Sequence, residues 1–228
     1  MVLDLEKPII QKLMDIGESV IGHPQKTITI NDRECSSNFF RNVRIAAHVI
    51  ELVEKSGLQY PKIMEIGGGN GVLQYLLRKY FEDNLTLFSV DLPETLIIQE
   101  WYLRNNFPEV ANSYKTSDGK TEFVQGGFNF INAFTLNSQN FSFDIVINIS
   151  SMQEMKQDVV DNYLTFIQRN ISGKGNFISE QTFAHDYNSV PEPSEYRLDN
   201  YWDIEQASIT YQKEMSGGFE HMLIVYRR

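Results

Sequence analysis

The sequence predicts an α/β fold with a mostly parallel β-sheet covered by helices on both faces. The main observation is that, from about residue 61, short apolar runs alternate with longer amphipathic segments. This alternation is typical of strand–helix–strand units, whose sheets are buried on both faces. Two further observations are a helical pattern near the N-terminus and the pair Gly217-Gly218 between the last two apolar runs. They predict an N-terminal helical extension and an antiparallel C-terminal hairpin.

The N-terminal extension is predicted to contain two helices. Pro8 to Ile21 carries apolar residues close to a 3.6-residue period, and Gly22-His23-Pro24 interrupts it. Ser36 or Ser37 can cap a second helix, which runs to about Lys55.

The alternating elements of the main domain follow in order. The predicted strands are 62–66, 85–90, 128–133, 144–149, 176–180, 207–212 and 220–226, and the predicted helices are 72–81, 94–105 and 159–170. Ligands of such sheets bind at the carboxyl ends of the strands, near the point where the strand order reverses. We therefore expect the functional residues directly after strands.

Length and composition set the broad class of the protein. The 228 residues are enough for one α/β domain with a sizeable core and a modest extension. We place the N-terminal extension at residues 1–58 and the main domain at residues 59–228. The extension is expected to form a lid over the ligand site of the main domain. Hydrophobic residues make up 42% of the chain and charged residues 22%, as is usual for globular proteins.

Charge and cysteine content narrow the possible partners and location. The formal net charge of −10 disfavours nucleic acid, because phosphate binding needs basic patches. With Cys35 as the single cysteine, neither an internal disulfide nor a zinc motif is expected, which fits a cytoplasmic location. The N-terminal residues lack a signal-peptide pattern, and Phe123–Phe143 is too polar to span a membrane. We expect no metal site. The sequence does not determine the oligomeric state, and a homodimer is one of the open alternatives.

A glycine loop is the main functional motif. The run Gly67-Gly68-Gly69-Asn70-Gly71 joins a predicted strand to a predicted helix. Glycines permit positive φ and let a ligand approach the backbone. The dinucleotide fingerprint needs a third Gly or Ala where Val72 stands, and the Gly-Lys-Ser/Thr end of a phosphate loop is also absent.

The spacing Glu65-x-Gly67-x-Gly69-x-Gly71 resembles the first motif of class I S-adenosylmethionine-dependent methyltransferases, which have a Rossmann-like sheet. The resemblance implies S-adenosyl-L-methionine as the cofactor, with the glycines under its methionine and ribose portions. The carboxylate of Glu65 is a countercharge for the cofactor's sulfonium and ammonium groups.

Three further strand ends complete the implied cofactor site. Asp91, followed by Leu92, ends the second strand of the main domain and can accept both ribose hydroxyls. Asp91 would also suit the ribose of NAD, or it could cap the helix that follows. The resemblance implies that Asn132-Ala133 holds adenine and that Asn148-Ile149-Ser150 lies beside the sulfonium.

The segment from Asn148 to Met155, together with the glycine loop, resembles a family of sugar O-methyltransferases of bacterial surface-polysaccharide loci. The resemblance implies methyl transfer to a hydroxyl of a sugar or polysaccharide precursor, a glycan acceptor. Gln153 and Glu154 are expected to face the acceptor, although Glu154 could instead cap the following helix. Other small-molecule acceptors, an NAD-dependent oxidoreductase and a non-catalytic binding module are the alternatives.

A sugar hydroxyl is a weak nucleophile, so a general base is expected. The candidates are Glu154 and His185, with Asp186 as a third, and a histidine titrates near neutral pH. His185 could also be a solvated loop residue. The aromatic side chains between residues 183 and 202 suit a sugar acceptor or, alternatively, pack on the core. If the N-terminal helices form a lid, His23 and Arg41 or Arg44 could line the site.

Overall fold

The computed structural model describes residues 6–25, 28–30, 33–114, 123–138, 141–183, 196–214 and 217–228. In chain order its elements are α1 Pro8–Ile16, β1 Ile28–Ile30, β2 Arg33–Cys35, α2 Ser37–Ser56, β3 Lys62–Ile66, α3 Val72–Phe81, β4 Thr86–Asp91, α4 Pro93–Asn106, β5 Asn112–Tyr114, β6 Phe128–Asn132, β7 Phe143–Ile149, α5 Gln157–Asn170, β8 Ile171–Phe183, β9 Asp203–Glu214 and β10 Gly217–Arg227. Two 3₁₀ turns occupy Ala133–Ser138 and Met152–Glu154.

The main sheet has eight strands in the order β5-β6-β4-β3-β7-β8-β10-β9. Neighbouring strands from β5 to β8 run parallel, whereas β10 is antiparallel to both β8 and β9. This arrangement confirms the predicted mostly parallel sheet with its antiparallel C-terminal hairpin. The strand order reverses at β3, between β4 and β7, so a ligand crevice is expected at the carboxyl ends of these three strands.

Helices cover both faces of the sheet, as predicted. One hydrophobic cluster joins α1, α2, α3 and α4 to the sheet, and a second cluster joins α5 to its other face. The side chains of Leu13, Phe39 and Val43 from the N-terminal extension are buried in the first cluster. The extension therefore shares a continuous core with the sheet, and its role as a lid stays a prediction.

Helix α2 has well-defined ends. The Ser36 hydroxyl accepts a hydrogen bond from the Phe39 amide at 3.0 Å, which satisfies a free N–H of the first turn and confirms the predicted cap. Gly57, at φ 70°, ends the helix in the left-handed conformation that glycine adopts without strain. The Arg41 guanidinium in the second turn reaches Ser150, just beyond β7. The N-terminus of α2 therefore lies at the carboxyl edge of the sheet.

Several boundaries differ from the sequence expectations. Helix α1 ends at Ile16 rather than Ile21, because Gly17 has a φ of 75°. The β1–β2 hairpin and β5 were not predicted, since strands of three residues are too short to show a period. Strand β8 begins at Ile171 rather than 176.

No helix among the described residues is long and apolar enough to cross a membrane.

Candidate functional site

The glycine loop turns sharply between β3 and α3. Gly67, Gly69 and Gly71 have φ angles of 72°, 57° and 86°, which L side chains rarely adopt. The Gly67 amide donates to the Val90 carbonyl at 2.8 Å, which ties the loop to the neighbouring strand. A Cβ atom on Gly67 would lie 2.2 Å from the hydroxyl of Ser151. Glycine is therefore required both for backbone conformation and for close packing.

Glu65 is a buried carboxyl group beneath this loop, with only 5% of its surface exposed. Burial raises its pKa from 4.5 to about 7, and the negative charge of Asp91 acts in the same direction. The Gln74 amide and the Arg41 guanidinium partly oppose this effect. Its Oε2 atom has no hydrogen-bond partner among the described residues. Such a group is suited to a cationic ligand.

Gly68 and Gln99 lie next to this carboxyl group. A Cβ atom on Gly68 would be 2.7 Å from Oε2 of Glu65 and 2.6 Å from Nε2 of Gln99. Gln99, on α4, is fully buried, and within the described structure neither amide atom has a partner. Asn70, at the tip of the loop, is exposed. The loop thus has open space above it and unsatisfied polar atoms below it.

Asp91 lies at the end of β4, next to the loop. Its Oδ2 accepts a hydrogen bond from the Gly69 amide at 3.3 Å, and its Oδ1 accepts one from the Leu92 amide at 2.8 Å. Half-burial raises the pKa of Asp91, and these amides oppose the effect. The N-cap residue of α4 is Leu92, which is exposed, so Asp91 is not the cap itself. The carboxylate therefore lies beside the glycine loop at the carboxyl edge of the sheet.

The third predicted strand end is adjacent. Asn132 pairs in register with Asp91, which places Asn132-Ala133 at the same edge of the sheet. The Oδ1 atom of Asn132 accepts a hydrogen bond from the Phe134 amide at 3.0 Å, which starts the 3₁₀ turn. The predicted cofactor residues of the first three strands are therefore neighbours.

Asn148, near the end of β7, has an internal role. Its buried side chain donates to the Ile66 carbonyl at 2.9 Å and to the Ser151 hydroxyl at 2.5 Å. It accepts from the Met152 amide at 3.1 Å and from the Gln181 amide group at 2.7 Å. These four bonds hold the turn after β7 against the glycine loop. The side chain of Asn148 thus positions the turn, and its contact with the cofactor stays a prediction.

Ser150 occupies the strained position of this turn. Its φ of 54° is unusual for a residue with a side chain, and such strain is concentrated at functional sites. The Ser150 amide donates to the Glu180 carbonyl at 2.7 Å, and the Arg41 guanidinium donates to the Ser150 hydroxyl at 3.3 Å. Ile149 before it is buried. Ser150 is therefore the strained residue of the turn after β7, and its contact with the cofactor stays a prediction.

The two candidates for the acceptor side differ. The Gln153 side chain accepts from the Thr182 amide at 2.5 Å, so it holds the turn to β8. Glu154 is exposed at the end of the 3₁₀ turn. The N-cap of α5 is Lys156 and its first-turn acid is Asp158, so the alternative capping role of Glu154 is not seen.

His185 and Asp186 lie outside the described residues. Among the aromatic candidates, Tyr196 stacks on Phe177 with 6.3 Å between ring centroids, and its hydroxyl lies 3.3 Å from that of Ser179. Trp202 also packs on the core. Both residues therefore pack on the core, which was the alternative to a role in binding a sugar acceptor. The described residues contain no group of three or more His, Cys, Asp or Glu that could hold a metal.

A buried ion pair ties the extension to the sheet. Arg44 of α2 pairs with Glu180 of β8, whose side chain is completely buried. Sequence reasoning missed this ion pair and Gln181, because their partners are distant in the chain. It also missed Gln99, because only the packing of α4 places that side chain beside Gly68. The sequence offered one indication of these residues: they are polar at positions where the strand and helix patterns require apolar side chains.

Comparisons with known proteins identify the fold. No protein-family model and no curated protein matches the sequence. The structure is similar to magnesium protoporphyrin IX methyltransferase of Synechocystis PCC 6803 with bound S-adenosylhomocysteine, at 10% identity and a TM-score of 0.59 over 90% of each chain. The same enzyme with bound S-adenosylmethionine gives 12% identity and a TM-score of 0.55 over 85% of each chain.

A second similar structure is a protein proposed to be a sarcosine dimethylglycine methyltransferase from Galdieria sulphuraria. It gives 9% identity and a TM-score of 0.59 over 97% of this chain and 98% of that one. The chain therefore has the Rossmann-like fold of class I methyltransferases.

Proposed function

We propose that the protein is an S-adenosylmethionine-dependent methyltransferase. The observation that carries this proposal is the buried Oε2 atom of Glu65, which has no partner among the described residues and lies under a glycine loop at the point where the strand order reverses. A buried carboxylate is costly unless a cation pairs with it. S-adenosylmethionine carries an ammonium and a sulfonium and has no phosphate.

The fold and the residues of the crevice fit this cofactor. Two of the similar structures contain S-adenosylmethionine or S-adenosylhomocysteine. Asp91 provides a half-buried carboxylate for ribose hydroxyls, and Asn132-Ala133 provides a neighbouring surface for adenine. The glycine loop, with Gly69 and Asn70 exposed, leaves room for a ligand to approach the backbone. These residues would bind and orient the cofactor.

The bound cofactor supplies an activated methyl group. The protein must then hold the acceptor oxygen in line with this methyl group and keep the acceptor oriented. Such positioning is the main source of rate enhancement in displacements of this kind. The strained turn at Ser150, fixed from below by Asn148, is the element that would hold the acceptor side rigid. Preorganisation of this kind requires well-packed support.

For the acceptor, we propose a hydroxyl of a sugar or surface-polysaccharide precursor, as the segment from Asn148 to Met155 implies. Glu154 is exposed beyond β7 and can accept a proton from a hydroxyl group, and His185 is the other candidate base. A general base contributes about 10²–10⁴-fold to such a reaction. Other small-molecule acceptors and a non-catalytic binding module are the alternatives.

The test is transfer of a labelled methyl group from S-adenosylmethionine to a panel of nucleotide sugars, oligosaccharides and phenols. We expect the label to appear in a sugar. One of the variants Glu154→Gln and His185→Ala removes the general base, and we expect that variant to lower kcat at least 100-fold at saturating cofactor. Label only in phenols would replace the proposed acceptor. Cofactor binding without transfer to any acceptor would support the binding module.

A further inference from the structure

Helix α4 carries apolar side chains on its outer face as well as on its inner face. The inner face is buried and consists of Leu96, Gln99, Tyr102 and Leu103. The outer face exposes three large apolar side chains, Ile97, Ile98 and Trp101, which are 53–66% exposed. A surface helix normally has polar and charged residues on the side that faces away from the core. The outer face of α4 therefore differs from a face that only contacts water.

The three side chains lie on one continuous stripe. Positions 94, 97, 98, 101, 104 and 105 are all exposed, and they recur at intervals of three and four residues, which places them on one side of the helix. From position 94 to position 104 the stripe is about 15 Å long. Single exposed apolar residues are common on protein surfaces, whereas contiguous ones mark an interaction surface. The stripe therefore indicates that another surface covers α4.

The two ends of the stripe carry opposite charges. Glu94 lies at the N-terminal end and takes part in no ion pair within the described residues. Arg104 lies at the C-terminal end, where it pairs with Glu100 and still has 60% of its side chain exposed. If two copies of α4 pack antiparallel, position 94 of each copy faces position 104 of the other, and position 97 faces position 101. A parallel arrangement would instead bring the two copies of Glu94 together.

We propose that α4 is the interface of a homodimer, in which its exposed stripe packs antiparallel against the same stripe of a second copy. This proposal does not depend on the proposed function. The two-fold axis of such a dimer creates every contact twice, so a Glu94–Arg104 pair closes each end of the interface. Between the two pairs, Ile97 and Ile98 of one copy cover Trp101 of the other. Tryptophan and arginine are the residue types that contribute most to protein interfaces.

A lipid surface is the competing occupant of the stripe, and the charges of α4 disfavour it. Helices that lie on membranes carry several Lys or Arg residues beside their apolar face. Helix α4 has Arg104 as its single basic residue and two acidic residues, Glu94 and Glu100. One acid and one base at opposite ends suit a second copy of the same helix better than an anionic bilayer.

The test is sedimentation velocity of the full chain at concentrations from about 1 to about 100 µM. We expect the mass to rise towards twice the 26.4 kDa of one chain. Ile97→Glu and Trp101→Glu each place a charge within the apolar contact, so each should raise the dissociation constant of the dimer at least tenfold. Glutamate is a good helix former, so far-ultraviolet circular dichroism should show unchanged helix content in both variants.

The charge pairing has a test of its own. Glu94→Arg and Arg104→Glu each place like charges at both ends of the interface, and each should raise the dissociation constant about tenfold. The double variant Glu94→Arg/Arg104→Glu restores opposite charges across the two-fold axis. We expect its dissociation constant to return to within about threefold of the wild-type value.

Ile204→Glu is the matched control for the apolar contact. Ile204 is 62% exposed and lies on β9, the edge strand of the main sheet. This variant should dimerise like the wild-type protein. A dimer that dissociates in Ile204→Glu but not in Ile97→Glu or Trp101→Glu would place the interface on the sheet edge and contradict the proposal.

Two further outcomes overturn the proposal. A wild-type protein that stays monomeric at every concentration would show that a second copy does not cover α4. If this monomer co-sediments with vesicles of phosphatidylcholine and phosphatidylglycerol and Trp101→Glu does not, the stripe binds a lipid surface instead. A double charge variant as weak as the two single ones would contradict the antiparallel pairing.

Discussion

At the scale of single residues, the site depends on the ionisation of one buried carboxyl group. Burial raises the pKa of Glu65 to about 7, which means that much of it is protonated in neutral solution when no ligand is bound. The prediction of a carboxylate at position 65 came from motif spacing. Its proximity to Gln99 and to the charge of Arg41 depends on residues that are distant from it in the sequence.

The pH dependence of cofactor binding follows from this pKa. Only ionised Glu65 attracts an ammonium group, so affinity for S-adenosylhomocysteine should rise as pH rises through about 7. We expect a gain of about 25-fold between pH 5.5 and 7.5, because a carboxyl group with a pKa of about 7 is about 3% ionised at the lower pH and about 75% ionised at the higher one. Calorimetry at several pH values measures it. Glu65→Gln should give weaker binding with a flat profile, and an equal slope in this variant would contradict the account.

Gly68 provides a second prediction at this scale. An added Cβ atom would lie 2.7 Å from Oε2 of Glu65, so Gly68→Ala should displace the carboxylate and weaken S-adenosylhomocysteine binding about tenfold or more. Gly173→Ala is the matched control, because nothing lies within 4 Å of its added Cβ. Equilibrium binding measures both variants. Equal affinities in the two would show that the loop does not bind the cofactor through this surface.

At the scale of elements, periodicity predicted the helices and strands of the main domain well. The longer elements, such as α3 and β3, were predicted with the boundaries that the structure has. The short strands were missed, because three residues carry no period. The internal hydrogen bonds of Asn148 were not predicted, since its four partners come from β3, β8 and its own turn. Tertiary partners of this kind are not encoded in local spacing.

The ion pair between α2 and β8 predicts a stability effect. Arg44 and Glu180 have side-chain exposures of 12% and 0%, so removing one partner leaves a buried charge unpaired. Glu180→Met should lower the free energy of unfolding by about 3 kcal/mol, and Arg44→Met/Glu180→Met should recover most of it. Urea denaturation provides the measurement.

The exposed pair Arg104–Glu100 is the control for this prediction. Arg104 is 60% exposed, and Arg104→Met should change the free energy of unfolding by less than about 1 kcal/mol. A double variant as unstable as Glu180→Met alone would show that packing, rather than the charge, determines the effect.

At the scale of the whole molecule, the extension and the sheet behave as one core. The sequence predicted an extension at residues 1–58 and the main domain at residues 59–228. In the structure, Leu13, Phe39 and Val43 are buried in the same hydrophobic cluster as residues of the sheet. Sequence periodicity identified the apolar faces of these helices but not the surface that covers them.

This shared core predicts that residues 59–228 do not fold alone. Removing the extension would expose the apolar face that α1 and α2 cover, and each large buried side chain is worth about 1.5–3 kcal/mol. We expect the fragment to lack a cooperative urea transition and a near-ultraviolet circular dichroism signal. A fragment that unfolds cooperatively, with stability near that of the full chain, would contradict this interpretation.

The most direct test of the central claim is calorimetric titration of the full chain with S-adenosylhomocysteine, NAD and ATP. The buried carboxyl group under the glycine loop predicts saturable, one-site binding of S-adenosylhomocysteine and no measurable binding of the two phosphate-containing nucleotides. Saturable binding of NAD or ATP, with no heat from S-adenosylhomocysteine, would contradict it.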